Sequence, residues 1–137
     1  MNEVVVTGGN RFQKEIVAKT VYHMIKVMMP RMRTLYIEVA IKKMKGDAVG
    51  YCMMGDDNRD FEIEVANHLT LKDFVETICH EMVHVKQFAR NEMSGDGKRW
   101  KKKNISENTD YWQLPWEKEA HKKQHKLAQM VWMSDIL

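Results

Sequence analysis

Proline and cysteine are scarce in this chain, with two of each among 137 residues. Cys52 and Cys79 form no C-x-x-C pair, and each lies in an apolar stretch, so a disulfide scaffold and a cysteine metal knuckle are both excluded in favour of buried thiols. Cys79 stands beside His80, but neighbours on a helix point about 100° apart, which argues against a thiol–imidazole catalytic pair. No apolar run approaches the roughly 20 residues that span a bilayer. The opening MNEVVVTGGN has neither the basic start nor the long apolar stretch of a secretory signal, so the expectation is a cytoplasmic protein, not secreted, with no membrane partner.

What is present fits an ordinary globular chain: 44% apolar and 30% charged residues, with a net charge of +3. The length suits a single domain over 1–137, without repeats and with a monomer as the default. The charge is uneven. Lys98, Arg99, Trp100, Lys101, Lys102 and Lys103 form a basic cluster around a tryptophan, a composition that can hold phosphates and stack on a base, and equally one of a solvated loop.

Periodicity places the elements. Residues 1–10 end in Thr-Gly-Gly-Asn and read as a loose N-terminal arm or an added edge strand. Phe12, Ile16, Val17, Val21, Ile25 and Met28 recur at helical spacing from Arg11 to about Met29, with Asn10 as N-cap and Pro30 as the stop. Three alternating runs follow, at 34–42, 48–54 and 61–66, separated by Lys45-Gly46-Asp47 and Gly55-Asp56-Asp57-Asn58. They are expected to form a three-stranded, mainly antiparallel meander, one face on helices and the other carrying Glu38, Lys42, Glu62 and Glu64. Thr70 caps a helix from Leu71 to about Arg90. Residues 91–114 form a long basic loop of little periodicity, and a last helix starts at Pro115 and runs to Met133. The fold class expected is therefore α+β.

The chemistry is concentrated in His80-Glu81-Met82-Val83-His84 on the helix from Leu71. Residues four apart share a helix face, so two imidazoles can grip one zinc ion while Glu81 reaches a water beside it as general base. A five-residue pattern of this kind arises by chance in roughly one chain in fifty, so it needs a third ligand. The last helix offers one in PWEKEAH. Ala120, Gln124, Leu127, Ala128 and Val131 gather on one side of it, and Glu117 lies one turn before Ala120 on that side. A carboxylate there is costly to bury unless paired or bound to metal, whereas Glu119 reads as a solvated first-turn acid. His121, about 40° from Glu117 at 100° per residue, and Asp96 in the glycine-flanked loop stay open as alternatives, His121 also as a hydrogen-bonding neighbour of the ligands. Tyr111 and His121 are candidate donors to an oxyanion. His23, His68 and His125 receive no role.

ETICHEMVHVKQF, the basic aromatic loop and PWEKEAH together resemble the SprT-like zinc metallopeptidases, in particular short forms of the kind encoded by bacteriophages, and more broadly the one-domain minigluzincins. The resemblance covers most of the chain in element order. It implies a zincin-like fold with one zinc per chain, a protein or peptide substrate, and peptide-bond hydrolysis, in host cytoplasm for a phage protein. One departure stands out: Asp96 falls where many SprT-like chains carry a third histidine, while Glu117 and Ala120 match the gluzincin pattern. SprT-like peptidases that act on proteins crosslinked to DNA make action near DNA, through Lys98–Lys103, a further expectation. The alternative is a catalytically inactive zinc-containing module that binds DNA or protein.

Overall fold

Strand β1 (Glu3–Gly8) opens the chain in the computed structural model, which describes residues 1–134. It leads into helix α1 (Arg11–Met28) through a tight turn at Gly8, where φ is +74° and a Cβ would strike the Ile41 carbonyl. Asn10 caps α1: its side chain accepts from Gln13 N at 2.8 Å, and the Gln13 side chain accepts from Asn10 N at 3.0 Å, a reciprocal box that satisfies two otherwise orphaned amides. Strands β2 (Tyr36–Lys42), β3 (Gly50–Met54) and β4 (Asp60–Ala66) follow, then helix α2 (Leu71–Ala89), a short hairpin of β5 (Arg99–Trp100) and β6 (Lys103–Asn104), a 3₁₀ turn at Tyr111–Gln113, and helix α3 (Pro115–Met133).

The sheet corrects the expected meander. It has four strands in the order β1-β2-β4-β3, with β1 parallel to β2, β2 parallel to β4, and only β3 antiparallel to β4. The cause lies in the strength of the apolar faces. Ile37, Val39 and Ile41 of β2 and Phe61, Ile63 and Val65 of β4 are all buried, and pairing these two strands puts every one of those side chains beneath the helices. Each such burial is worth about 1.5–3 kcal/mol. Strand β3, with Gly50, Cys52 and Met54 on its inner side, has less to bury and is displaced to the edge, where it serves as part of the crossover that parallel neighbours need. The N-terminal residues are likewise no loose arm: Val4 and Val6 pack on the core, and β1 pairs with β2 over its whole length. The outer face of the sheet does carry Glu38, Lys42, Glu62 and Glu64, with Lys42 Nζ 3.0 Å from Glu64 Oε2.

Helix α1 packs against β1 and α2, and α2 runs beneath β3 and β4 and packs along α3. The described residues thus form an α+β fold of three α-helices and one mixed four-stranded sheet, beside which the β5–β6 hairpin stands apart. No helix among the described residues is long and apolar enough to cross a membrane.

Candidate metal centre

Helix α2 supplies the centre of the site because its ends and its buried stripe fix its rotation. Thr70 Oγ1 accepts from Asp73 N at 3.3 Å, and Phe74, Val75, Ile78, Met82 and Val85 are buried. That leaves His80 and His84, one turn apart, facing α3. Pro115 starts α3, which presents Glu117 in its first turn while Ala120, Leu127, Ala128 and Val131 pack inward. Glu117 Oε1 lies 3.1 Å from His80 Nε2 and 3.1 Å from His84 Nε2.

Gln87 defines the protonation of His84. Its Nε2 donates to the Trp116 carbonyl at 3.0 Å and to Glu119 Oε1 at 3.1 Å, so the other end of the amide, Oε1, must be the atom 2.8 Å from His84 Nδ1. The Nδ1 hydrogen is donated there, and Nε2 of a neutral ring is left as a lone pair aimed at Glu117. His80 repeats the arrangement with Gln124 Oε1 at 2.8 Å from Nδ1. Two ring lone pairs therefore converge on a carboxylate oxygen as acceptors, and the meeting of the three is satisfied by extra protons on the rings or by a cation. Burial works against charge on Glu117, but when the two imidazoles are protonated their hydrogen bonds and charge overcome it and hold its carboxyl well below the usual range.

The donor set suits a metal ion. Two ligand atoms about 2.0 Å from zinc at tetrahedral angles stand about 3.3 Å apart, close to the observed 3.1 Å separations. His80, Glu117 and His121 also form a group whose ligand atoms all lie within 4.8 Å of one another and could hold a metal ion. The two triples share His80 and Glu117. They differ at the third histidine: His84 Nε2 faces the shared carboxylate oxygen directly, whereas His121 Nε2 is 3.1 Å from the Tyr111 hydroxyl.

Glu81 sits one step round the helix, only 6% exposed, with no donor to it among the side-chain bonds of the site. Burial pushes its carboxyl up, with Glu117 adding to the rise and the two histidines opposing it. Gly50 of β3 makes room for it: a Cβ there would come within 2.6 Å of Thr77 Cγ2 and 2.8 Å of Glu81 Oε2. Across the cleft the Tyr111 hydroxyl lies 3.1 Å from both Glu117 Oε1 and His121 Nε2, and burial beside Glu117 pushes its pKa up to about 12. It is a neutral hydrogen donor at any ordinary pH. Burial together with the neighbouring His80 lowers the pKa of His121, whose ring lies between those of His80 and Trp112 at centroid distances of 4.6 and 4.7 Å.

A cleft runs past these groups on both sides. One part, about 530 Å³, is lined by Asp47, Gly50, Asp73, Glu76, His80 and Glu81 among others; the other, about 360 Å³, by Cys52, His84, Phe88, Met93, Trp116 and Glu117 among others. Of the residues expected at the site, His80, Glu81, His84, Tyr111, Glu117 and His121 are brought together. Asp96 is not: its carboxylate is tied to Ser94 Oγ and Lys98 N within its own turn, so it does not enter the cluster as a ligand. The loop 91–114 is also less irregular than expected, since Arg99 and Trp100 pair with Asn104 and Lys103 in a hairpin whose turn residues Lys101 and Lys102 take positive φ. Lys101 Nζ lies 5.3 Å from the Trp100 ring, and Arg99 and Lys102 line a separate pocket of about 290 Å³.

Glu119 overturns its reading as a solvated acid. It accepts from Gln87 and from Lys86 at 2.9 Å, and Lys86, 7% exposed, also pairs with Glu92 at 2.8 Å. Gln87, Gln124, Gly50 and Cys52 were missed as site residues. A signal existed for the glutamines, because Gln87 falls three residues after His84 and Gln124 lies on the inward side of the last helix. None existed for Gly50 and Cys52, which reach the site only through the strand order. Cys79 is buried, its thiol pushed up to about 12 by burial, and it takes no part.

The fold and the site together define an α+β protein with a histidine–glutamate cluster suited to a metal ion. No known family, curated protein or solved structure matches the chain.

Proposed function

We propose that the chain is a zinc-dependent metallopeptidase with a zincin-like fold of the SprT or minigluzincin type, in which His80, His84 and Glu117 hold one zinc ion. The observation that carries this reading is the convergence of His80 Nε2 and His84 Nε2 on one Glu117 oxygen, with Glu81 buried beside them. Zinc held there by His80, His84 and Glu117 would lower the pKa of a water toward about 7 and would polarise a carbonyl oxygen. Glu81 takes the proton from the attacking water and passes it to the leaving amine. The Tyr111 hydroxyl donates to the oxyanion of the tetrahedral intermediate. His121 supports Tyr111 through their hydrogen bond.

The open edge of β3 supports an extended peptide as the substrate. Ala66 N donates to Val49 O and Gly55 N to Asp60 O, so in this antiparallel pair Val49, Tyr51, Met53 and Gly55 direct their backbone groups to β4. Gly50, Cys52 and Met54 direct theirs outward, available to an extended peptide laid along the cleft.

The test is a pair of substitutions on zinc-loaded protein with an unfolded protein as substrate. Glu81→Gln should keep one zinc per chain and lose turnover, and His84→Ala should lose both. Wild-type cleavage by Glu81→Gln would remove the mechanism, and protein that takes up no zinc in chelator-free buffer would remove the enzyme.

A second reading rests on the basic hairpin, where Trp100 is stacked by Lys101 and flanked by Arg99, Lys102 and Lys103. It is an inactive zinc-containing module that binds DNA or a protein partner. Salt-dependent DNA binding by the Glu81→Gln variant, with no proteolysis by the wild type, would favour it; both properties together would place the peptidase near DNA.

A further inference from the structure

The two parts of the cleft differ in charge. The larger, on the side of the β3 entrance, is lined by Asp47, Asp73 and Glu76 as well as Glu81, and no lysine or arginine lines it. Glu76 Oε1 lies 2.9 Å from His125 Nδ1, and its side chain also lines this part. The smaller part has Cys52, Phe88, Met93 and Trp116 on its walls. Glu81, buried and with no donor among the described residues, lines both.

Strand β3 lends this asymmetry a direction. Asp47 and Gly50 lie at its start in the acidic part, and Cys52 lies further along in the apolar part. Antiparallel pairing is the stronger mode per residue, and a peptide added antiparallel to β3 has its N-terminal half beside Cys52 and its C-terminal half beside Gly50 and Asp47. The bond facing Glu81 lies between the two halves.

We infer that the cleft selects extended peptides with an apolar residue before the bond presented to Glu81 and a lysine or arginine one or two residues after it, recognised by Asp47, Asp73 and Glu76. The inference rests on the peptidase reading only for which bond is presented; recognition of basic residues by the acidic part is independent of turnover.

Both parts can be tested separately. Zinc-loaded Glu81→Gln protein is titrated into two fluorescent peptides, acetylated and amidated, of identical composition: one runs from apolar to basic residues, the other is its reverse. The apolar-to-basic peptide should bind about tenfold more tightly, the scale of two or three surface charge contacts. Adding Asp47→Asn and Asp73→Asn, both exposed positions, should reduce that ratio to about twofold with zinc content unchanged. Equal affinities, no binding of either peptide, or a ratio indifferent to the two aspartates would overturn the inference. Wild-type protein is then given the preferred peptide, and mass spectrometry should show the cut on the N-terminal side of the basic residue. A cut elsewhere refutes the assigned direction. Preferential binding without any cut supports the acidic recognition and counts against the peptidase reading instead.

Discussion

Gln87 offers the sharpest test of how the site is held. It is fully buried and makes three hydrogen bonds, accepting from His84 Nδ1 at 2.8 Å and donating to the Trp116 carbonyl at 3.0 Å and to Glu119 at 3.1 Å. In Gln87→Leu the Nδ1 hydrogen of His84 loses its partner, while the Trp116 carbonyl keeps its helical amide and Glu119 keeps Lys86. With that one buried group stranded, the cost is about 1–3 kcal/mol of stability. Loss of a hydrogen bond that orients a metal-binding histidine is worth about 10–100-fold in metal affinity. Competition against a chromophoric chelator reads that affinity, and urea unfolding reads the stability. Gln87→Glu separates the two effects: it restores an acceptor for His84 but sets a second carboxylate against Glu119, so it should regain zinc affinity while remaining destabilised. Converting Glu119→Gln in the same protein should relieve the clash. A folded Gln87→Leu protein with wild-type zinc affinity would refute the assigned His84 tautomer and the dependence of the site upon it.

The remaining predictions concern the base, the donor and the buried cation. In Gly50→Ala the new methyl must displace Thr77 or the Glu81 carboxylate, so turnover should fall while one zinc per chain is retained; steady-state kinetics and metal analysis check this. Tyr111→Phe should lower kcat by about 10²-fold with KM little changed, as for loss of one oxyanion donor. For Lys86 and Glu119, burial opposes both charges, but the pairing raises the pKa of Lys86 and lowers that of Glu119. A carboxyl with a depressed folded pKa contributes stability above its unfolded value and loses it as pH falls through the folded one. A raised lysine contributes below its unfolded value and loses it as pH rises through the folded one. The contribution of the pair is therefore complete between about 4.5 and 10.5 and fades outside that window. Lys86→Met should weaken the acid limb that Glu119 contributes, measured as Tm against pH.

Much of the architecture was legible because it is local. Helical periodicity and caps placed α1, α2 and α3 within a residue or two of their observed bounds, since Asn10, Thr70 and Pro115 act on their own neighbours. The four-residue spacing of His80 and His84 and the inward side of the last helix brought both histidines and Glu117 into view before any tertiary contact was known. The sheet was misread because strand periodicity reports which residues face inward and carries no information on which strand lies beside which. Pairing of β2 with β4 follows from competition among three strands for the cover of the helices, a property of the whole chain.

The sequence by itself determined the three helices and the candidate metal donors and candidate base, because each depends on spacing within one helix or on the chemistry of one side chain. Only the tertiary structure decided that Glu117 meets both imidazoles, that Asp96 stays in its own turn, and that Glu119 is tied to Lys86 and Gln87. It alone placed Gly50 against Glu81 and opened the edge of β3 along the cleft. These are meetings between elements far apart in sequence, set by how the sheet and helices share one core, and no local pattern records them.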